Sequence, residues 1–349
     1  MHKQYLYILL FLFISSKSFA QIGGTYTYSF LEITNSARLA ALGGKNISLK
    51  TDDLNFVYDN PATLDTAMSS QLVLNYLNYF AGINYGYLAY AKNFKKAGIF
   101  AAGLNYINYG KFIKADETGK ITGEFSAFEL AVNIFWSREL IDSTLSVGLN
   151  LKPIYSQMET YSSFGLALDA GLNYQNKKGL SAGFVIRNLG TQLKPYTKGN
   201  YEKIPLNIQL GISQKLAHAP FRFSVLYQYI NQWDLTYNKA DNIAFSAVEP
   251  TQTEIEEYKI GIVDNFFRHF IFGLEFVPSK NFNLIFGYNH QRRKELMIVE
   301  KPGLVGFSWG FYINIKKIKI SFGQAFYHLA GASNHFSVNY NLSEVYRKR

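Results

Sequence analysis

The chain has 349 residues, no cysteine, a formal charge of +10 and an aromatic share of 17%, with 26 Tyr and 29 Phe. Without cysteine it has no disulfide or thiolate chemistry, and it cannot be a lipoprotein anchored through an N-terminal Cys. Its average hydropathy is close to neutral and its apolar residues are scattered rather than gathered into long runs, which excludes a helical membrane protein. The basic excess is modest for this length and does not by itself indicate nucleic acid.

Met1, His2 and Lys3 make a short basic start, and an apolar run over 5–14 follows it. That run is shorter than the roughly 20 apolar residues that a spanning helix requires. Ser18-Phe19-Ala20 then sets small residues where a signal peptidase reads them, so residues 1–20 are expected to be a signal peptide cleaved near Ala20. Loss of Lys3 and Lys17 with that peptide would take the charge from +10 to +8.

Residues 21–69 lack any ten-residue alternation and are rich in Ala, Gly, Asn and Asp. Asn35 or Ser36 is suited to cap a short helix that Gly43-Gly44 would stop. We expect this stretch to be an N-terminal plug. From about residue 70 to 342 the chain alternates with period two in segments of about ten residues, the period of a strand. Phe164, Leu166, Leu168, Leu172 and Tyr174 oppose Gly165, Ala167, Asp169, Gly171 and Asn173; Leu145, Val147, Leu149 and Leu151 oppose Ser146, Gly148, Asn150 and Lys152. A soluble sandwich would put Lys, Glu and Thr on its wet face, whereas this second face is dominated by Gly, Asn, Ser and Ala, as in a crowded barrel lumen.

About fourteen such segments can be counted, centred near residues 75, 89, 103, 131, 148, 168, 184, 210, 225, 271, 285, 309, 322 and 337. An even count is what single-chain bacterial barrels show. Short basic connections alternate with long ones over 110–123, 153–161, 190–203, 231–265, 291–303 and 328–334. That alternation fits tight periplasmic turns and extended outer loops. Aromatics near strand ends, such as Tyr76, Tyr79, Phe80, Tyr106, Tyr109, Tyr227 and Tyr229, are expected in two interfacial girdles. The expected architecture is therefore all-β: a transmembrane antiparallel barrel of about 14 strands, a plug before it and a short tail over 343–349.

The most specific pattern lies in the plug: Arg38, Gly43-Gly44, Asp52-Asp53 and Asn60-Pro61. This series resembles the hatch of FadL-like outer-membrane barrels. Over the mature length the chain resembles the PorQ family of type IX secretion system proteins. That likeness is carried by the opening from Gln21 to Leu31, Asn78-Tyr79-Phe80, Tyr106-Ile107-Asn108-Tyr109-Gly110, Leu151-Lys152-Pro153 and His218-Ala219-Pro220. The resemblance implies a non-enzymatic part in an outer-membrane attachment complex, with a PorU-like sortase, a PorV-like barrel and a PorZ-like surface protein. Its implied share is to tether the PorZ-like protein while secreted cargo is joined to lipopolysaccharide. It carries over no catalytic residue.

Chemistry sought elsewhere is sparse. The six histidines, His2, His218, His269, His290, His328 and His335, have no helical ligand spacing, so no metal site is expected. Asp52-Asp53 and the acidic run at 254–257 lack the spaced ligands and central Gly of a calcium loop. No cofactor is expected, and the chain is not expected to be an enzyme. Arg292, Arg293 and Lys294 in an outer loop are candidates to meet lipopolysaccharide phosphates. The other functional reading is a FadL-like transporter of hydrophobic small molecules, which would need a greasy pocket between hatch and wall.

Overall fold

The computed structural model describes residues 26–94, 97–141, 144–235, 261–298, 301, 303–328 and 331–343. The expected signal peptide, most of the 231–265 loop and most of the tail lie outside them. Fourteen strands close into one antiparallel barrel, each paired with its neighbours in sequence and β1 against β14. They are β1 (Gln71–Asn78), β2 (Asn84–Asn93), β3 (Ile99–Ala115), β4 (Ile121–Ile141), β5 (Leu145–Met158), β6 (Tyr161–Gln175) and β7 (Leu180–Lys194), then β8 (Asn207–Lys215), β9 (Phe221–Tyr227), β10 (Phe270–Phe276), β11 (Phe282–Asn289), β12 (Phe307–Ile315), β13 (Ile318–His328) and β14 (Gly331–Asn341). Each of the fourteen centres read from the sequence falls inside one of these strands.

The two faces of the wall follow the alternation. Leu74, Leu104, Ile134, Leu172, Leu210, Phe286 and Val338 point outward and are 40–54% exposed, while their neighbours on the inner face are buried. An apolar outer face around a closed barrel belongs in a bilayer. The architecture is that of an outer-membrane β-barrel.

The outer connections after β3, β5 and β13 are shorter than expected, because the strands continue past the bilayer as hydrogen-bonded hairpins. β3 and β4 leave only residues 116–120 between them, and β5 and β6 leave two residues. At Lys111, Phe112, Ile113, Ile121 and Glu124 both faces of the ribbon are exposed, so the apolar alternation that marks a membrane strand ends there although the pairing persists. The 291–303 stretch also differs from expectation: His290–Leu296 is a helix capped by Asn289, whose side chain accepts from Arg292 N.

The described N-terminal residues form a chain of short turns against the inner face. They comprise a helix, α1 (Ala37–Ala41), and 3₁₀ turns at Ser29–Glu32, Leu54–Tyr58, Pro61–Thr63 and Thr66–Met68. The side chains of Ser36, Asp53, Asn60 and Asp65 each accept from a backbone N–H at the start of one of these elements. Such caps satisfy donors that elements of one turn would otherwise leave orphaned. The remaining helices are α2 (Ile262–Arg268) and α3 (His290–Leu296) on the outer side.

Candidate functional site

The site is the contact between residues 26–70 and the inner wall. Two tracks of inward glycines receive it. On β10 to β13, Gly273 pairs with Gly287 and Gly310 pairs with Gly323. A Cβ on Gly310 would stand 2.7 Å from Ala41 Cβ and one on Gly273 would stand 2.8 Å from Leu42 Cδ2. On Gly287 and Gly323 it would run into the backbone of α1 and the residues just after it. On β5 to β7, Gly148, Gly171 and Gly183 lie in the same way against Pro61, Asn60 and Ile47. The small inner face thus has a reason: any side chain there would occupy volume that the N-terminal residues fill.

Buried charges join the two surfaces. Arg38 donates to Glu275 Oε1 from Nε at 3.0 Å and from Nη2 at 2.8 Å, lies 3.7 Å from Asp53, and sits 5.0 Å over the rings of Phe56 and Tyr312. Arg222 takes the other oxygen of Glu275 at 2.7 Å. Across the lumen Arg187 pairs with Asp59 at 3.1 Å, while within the wall Lys152 of β5 pairs with Asp169 of β6 at 2.7 Å, all fully or almost fully buried. Glu32 accepts from Lys45, Asn188, Asn207 and Tyr229. Burial alone would raise the Glu32 carboxyl, but the cations of Lys45 and Arg187 outweigh it and hold it at about 2. A belt of amides runs beneath: Asn105 donates to the Tyr85 hydroxyl, Asn133 to Asn105 at 2.5 Å, and Asn150 to both Asn133 and Asp169 at 3.1 Å.

The residues singled out in the sequence have distinct places. Arg38 and Asp53 share one buried cluster, whereas Asp52 faces the opposite way, half exposed, and pairs with Lys319 at 2.6 Å. Asn60 caps Pro61–Thr63 through Oδ1 and donates from Nδ2 to Ile47 O at 2.7 Å and Leu172 O at 3.1 Å, binding turn to wall. Gly43 and Gly44, at φ 97° and 117°, end α1 in a conformation that favours glycine.

Two expectations are corrected. Arg292 is not a surface contact: it is 8% exposed, donates to Gly43 O at 3.3 Å and stacks 4.1 Å over Tyr327. Beside it Arg293 donates to Gly303 O and Val305 O, and Lys294 pairs with Asp264 at 2.8 Å. Tyr109 and Tyr229, expected in the girdles, instead reach inward to Glu129 and Glu32: Tyr109 shares the inner face of β3 with Ala101, Asn105 and Ile107, and Tyr229, at φ 55°, is turned over the lumen just past the end of β9.

Arg187, Glu32, Lys45 and Lys152 were not singled out in the sequence. The signal for Lys152 was present, as a charge on the small face of a strand. Asn188 is hidden from any period-two reading, because its φ of 58° lies at an irregularity in β7 that turns Arg187 and Asn188 inward together.

Two cavities open among the described residues. One of about 460 Å³ is lined by Tyr26, Thr191, Tyr201, Glu202, Lys203 and Asn231 among others. The other, of about 290 Å³, is lined by residues including Glu32, Lys45, Arg292, Glu295 and Tyr327. Both carry charged groups, whereas an apolar ligand calls for a mainly apolar lining.

No family profile and no curated protein matches this sequence. Among solved structures, the TodX monoaromatic hydrocarbon channel in its deltaS2 mutant form is similar over 88% of this chain and 97% of that one, at 13% identity and a TM-score of 0.50. The deltaS2S3 mutant of TodX aligns over 87% and 96%, at 12% identity and a TM-score of 0.47. A FadL homologue of Pseudomonas aeruginosa aligns over 88% and 98%, at 10% identity and a TM-score of 0.46. At such identities the likeness is one of fold: this chain's 14-stranded barrel is similar in fold to the TodX channel.

Proposed function

We propose that this chain is a closed, non-enzymatic outer-membrane platform whose N-terminal residues act as a fixed plug. In this reading its outer hairpins hold a PorZ-like surface protein of the type IX secretion attachment complex, beside a PorU-like sortase and a PorV-like barrel. Export by a signal peptide belongs to the same reading. The observation that carries it is the lock between segment and wall, made of two glycine tracks and the buried ion pairs Arg38–Glu275 and Arg187–Asp59. A platform needs a rigid, sealed interior, and a gate would have to break two buried charge pairs at about 3–5 kcal/mol each. The link to secretion rests on the PorQ-like sequence alone, and no comparison with a known protein speaks for it.

The second reading, a channel for hydrophobic small molecules, is favoured by the fold likeness to the TodX channel. The charged lining of both cavities counts against it. Deleting the gene and following secreted proteins that carry a C-terminal sorting signal separates the two. The platform reading expects such cargo to be released or retained unprocessed. Normal attachment, with loss of growth on a hydrophobic substrate, would establish the channel instead.

A further inference from the structure

The barrel wall has very uneven height. β3 to β7 run for 14–21 residues, whereas β1 has 8 and β8 to β12 have 7–9. A tilted strand climbs roughly 2.5 Å per residue along the barrel axis, so β1 is about 20 Å tall, near the ~25 Å apolar band of an outer-membrane barrel. The outer ends of β13, β14, β1 and β2 therefore finish where hydrocarbon gives way to headgroups.

One row of direct cross-strand partners on the outward face is made of amides. Gln324 pairs with Asn334, Asn334 with Asn78, Asn78 with Asn84, and Asn84 with Asn108. Because strands tilt, the row climbs, from six residues past Ile318 at Gln324 to nine past Ile99 at Asn108. The adjacent outward row is aromatic apart from one glycine: Phe322, Phe336, Tyr76, Gly86 and Tyr106 are likewise successive partners. Phe322 and Phe336 lie 5.3 Å apart and Trp309 packs edge-on to Phe322 at 5.8 Å.

The amides are held by hydrogen bonds to each other and to neighbouring Trp309, Tyr76 and Gly82. Trp309 Nε1 donates to Gln324 Oε1 at 3.0 Å, Gln324 Nε2 to Asn334 Oδ1 at 3.0 Å, and the Tyr76 hydroxyl to Asn84 Oδ1 at 2.6 Å. Asn84 Nδ2 donates to Gly82 O at 2.9 Å. Five amides facing hydrocarbon would be costly, and the row contains no Lys, Arg, Asp or Glu. A phosphate would be recognised by Arg or Lys. Fixed neutral donors and acceptors above aromatic faces suit sugar hydroxyls over ring C–H groups.

We propose that this row is a docking strip for the neutral sugar portion of an outer-leaflet glycolipid. The inference depends on the outer-membrane barrel and is independent of the platform and channel readings. The test uses the full chain reconstituted in nanodiscs of phosphatidylethanolamine with or without lipopolysaccharide, comparing unfolding temperature and lipid retained after purification. Lipopolysaccharide is expected to raise the unfolding temperature of the wild type, and to keep doing so after chemical removal of its phosphates. In the triple variant Asn78→Leu, Asn84→Leu, Asn334→Leu, retained lipopolysaccharide should fall about tenfold, which corresponds to ~1.4 kcal/mol. Gln157→Leu, an amide of the opposite wall, should leave retention unchanged and shows that the loss is local. Equal retention in the triple variant, loss of the effect on dephosphorylation, or a discrete oligomer formed through this face would each overturn the proposal.

Discussion

The tall wall of β3 to β7 and the low wall running from β8 round to β2 grip the same N-terminal residues but meet their surroundings differently. Above the bilayer the tall wall continues as an exposed ribbon with surface ion pairs such as Lys111–Glu124, whereas the low wall, from β13 to β2, carries a row of amides over aromatics that ends on the neighbouring β3. Inside, both walls use the same two devices, glycines that admit backbone and buried charges that pair with it. The contrast teaches that the outside of each strand is set by what lies at that height, while the inside is set everywhere by one packed segment.

Breaking the inner lock should have the largest effect. Arg187→Met leaves Asp59 buried without its cation, and we expect a loss of about 3–5 kcal/mol. In chemical denaturation, joint replacement with Asp59→Leu should restore much of it, since a buried ion pair is often matched by apolar groups. On the low wall Gly287→Leu has no room beside Gly43 N. A cost of about 1–3 kcal/mol, or more where the backbone cannot yield, is expected in the same measurement. The outward Gly86→Leu, whose Cβ would meet nothing nearer than 3.9 Å, should be close to neutral.

Glu32 bridges the walls, accepting from Asn188 on β7 and Asn207 on β8. Its carboxyl is depressed from the usual 4.5 to about 2. A depressed folded pKa contributes stability that is fully present above the unfolded value and lost as pH falls from 4.5 through about 2. Glu32→Gln should flatten the acid limb of a stability-against-pH curve, and an unchanged limb would remove Glu32 from the lock. The smallest effect is expected on the tall wall's ribbon, where Lys111→Ala should leave stability unchanged because both partners are exposed.

The strands were legible because a bilayer outside and a packed segment inside impose opposite demands on alternate residues, as at 164–174. The hairpin extensions were not, because past the bilayer neither demand applies and Lys111 and Ile113 read as loop. The helix cap at Ser36 depends on local chemistry, so sequence is informative there. Arg292 was misplaced because its inward partner, Gly43 O, lies far away in sequence. The amide row was invisible until register aligned five separated residues.

The central claim is that the N-terminal segment never leaves the wall. Ser48 Oγ and Ser213 Oγ lie 2.5 Å apart, and the chain has no other cysteine to confuse a cross-link. The variant Ser48→Cys with Ser213→Cys therefore offers a disulfide between segment and β8. The direct measurement is the surface attachment of secreted cargo by cells carrying this variant, oxidised and reduced. A fixed plug predicts equal attachment in both states. Attachment that fails when oxidised and recovers on reduction would contradict the account, because it would mean that the segment has to move.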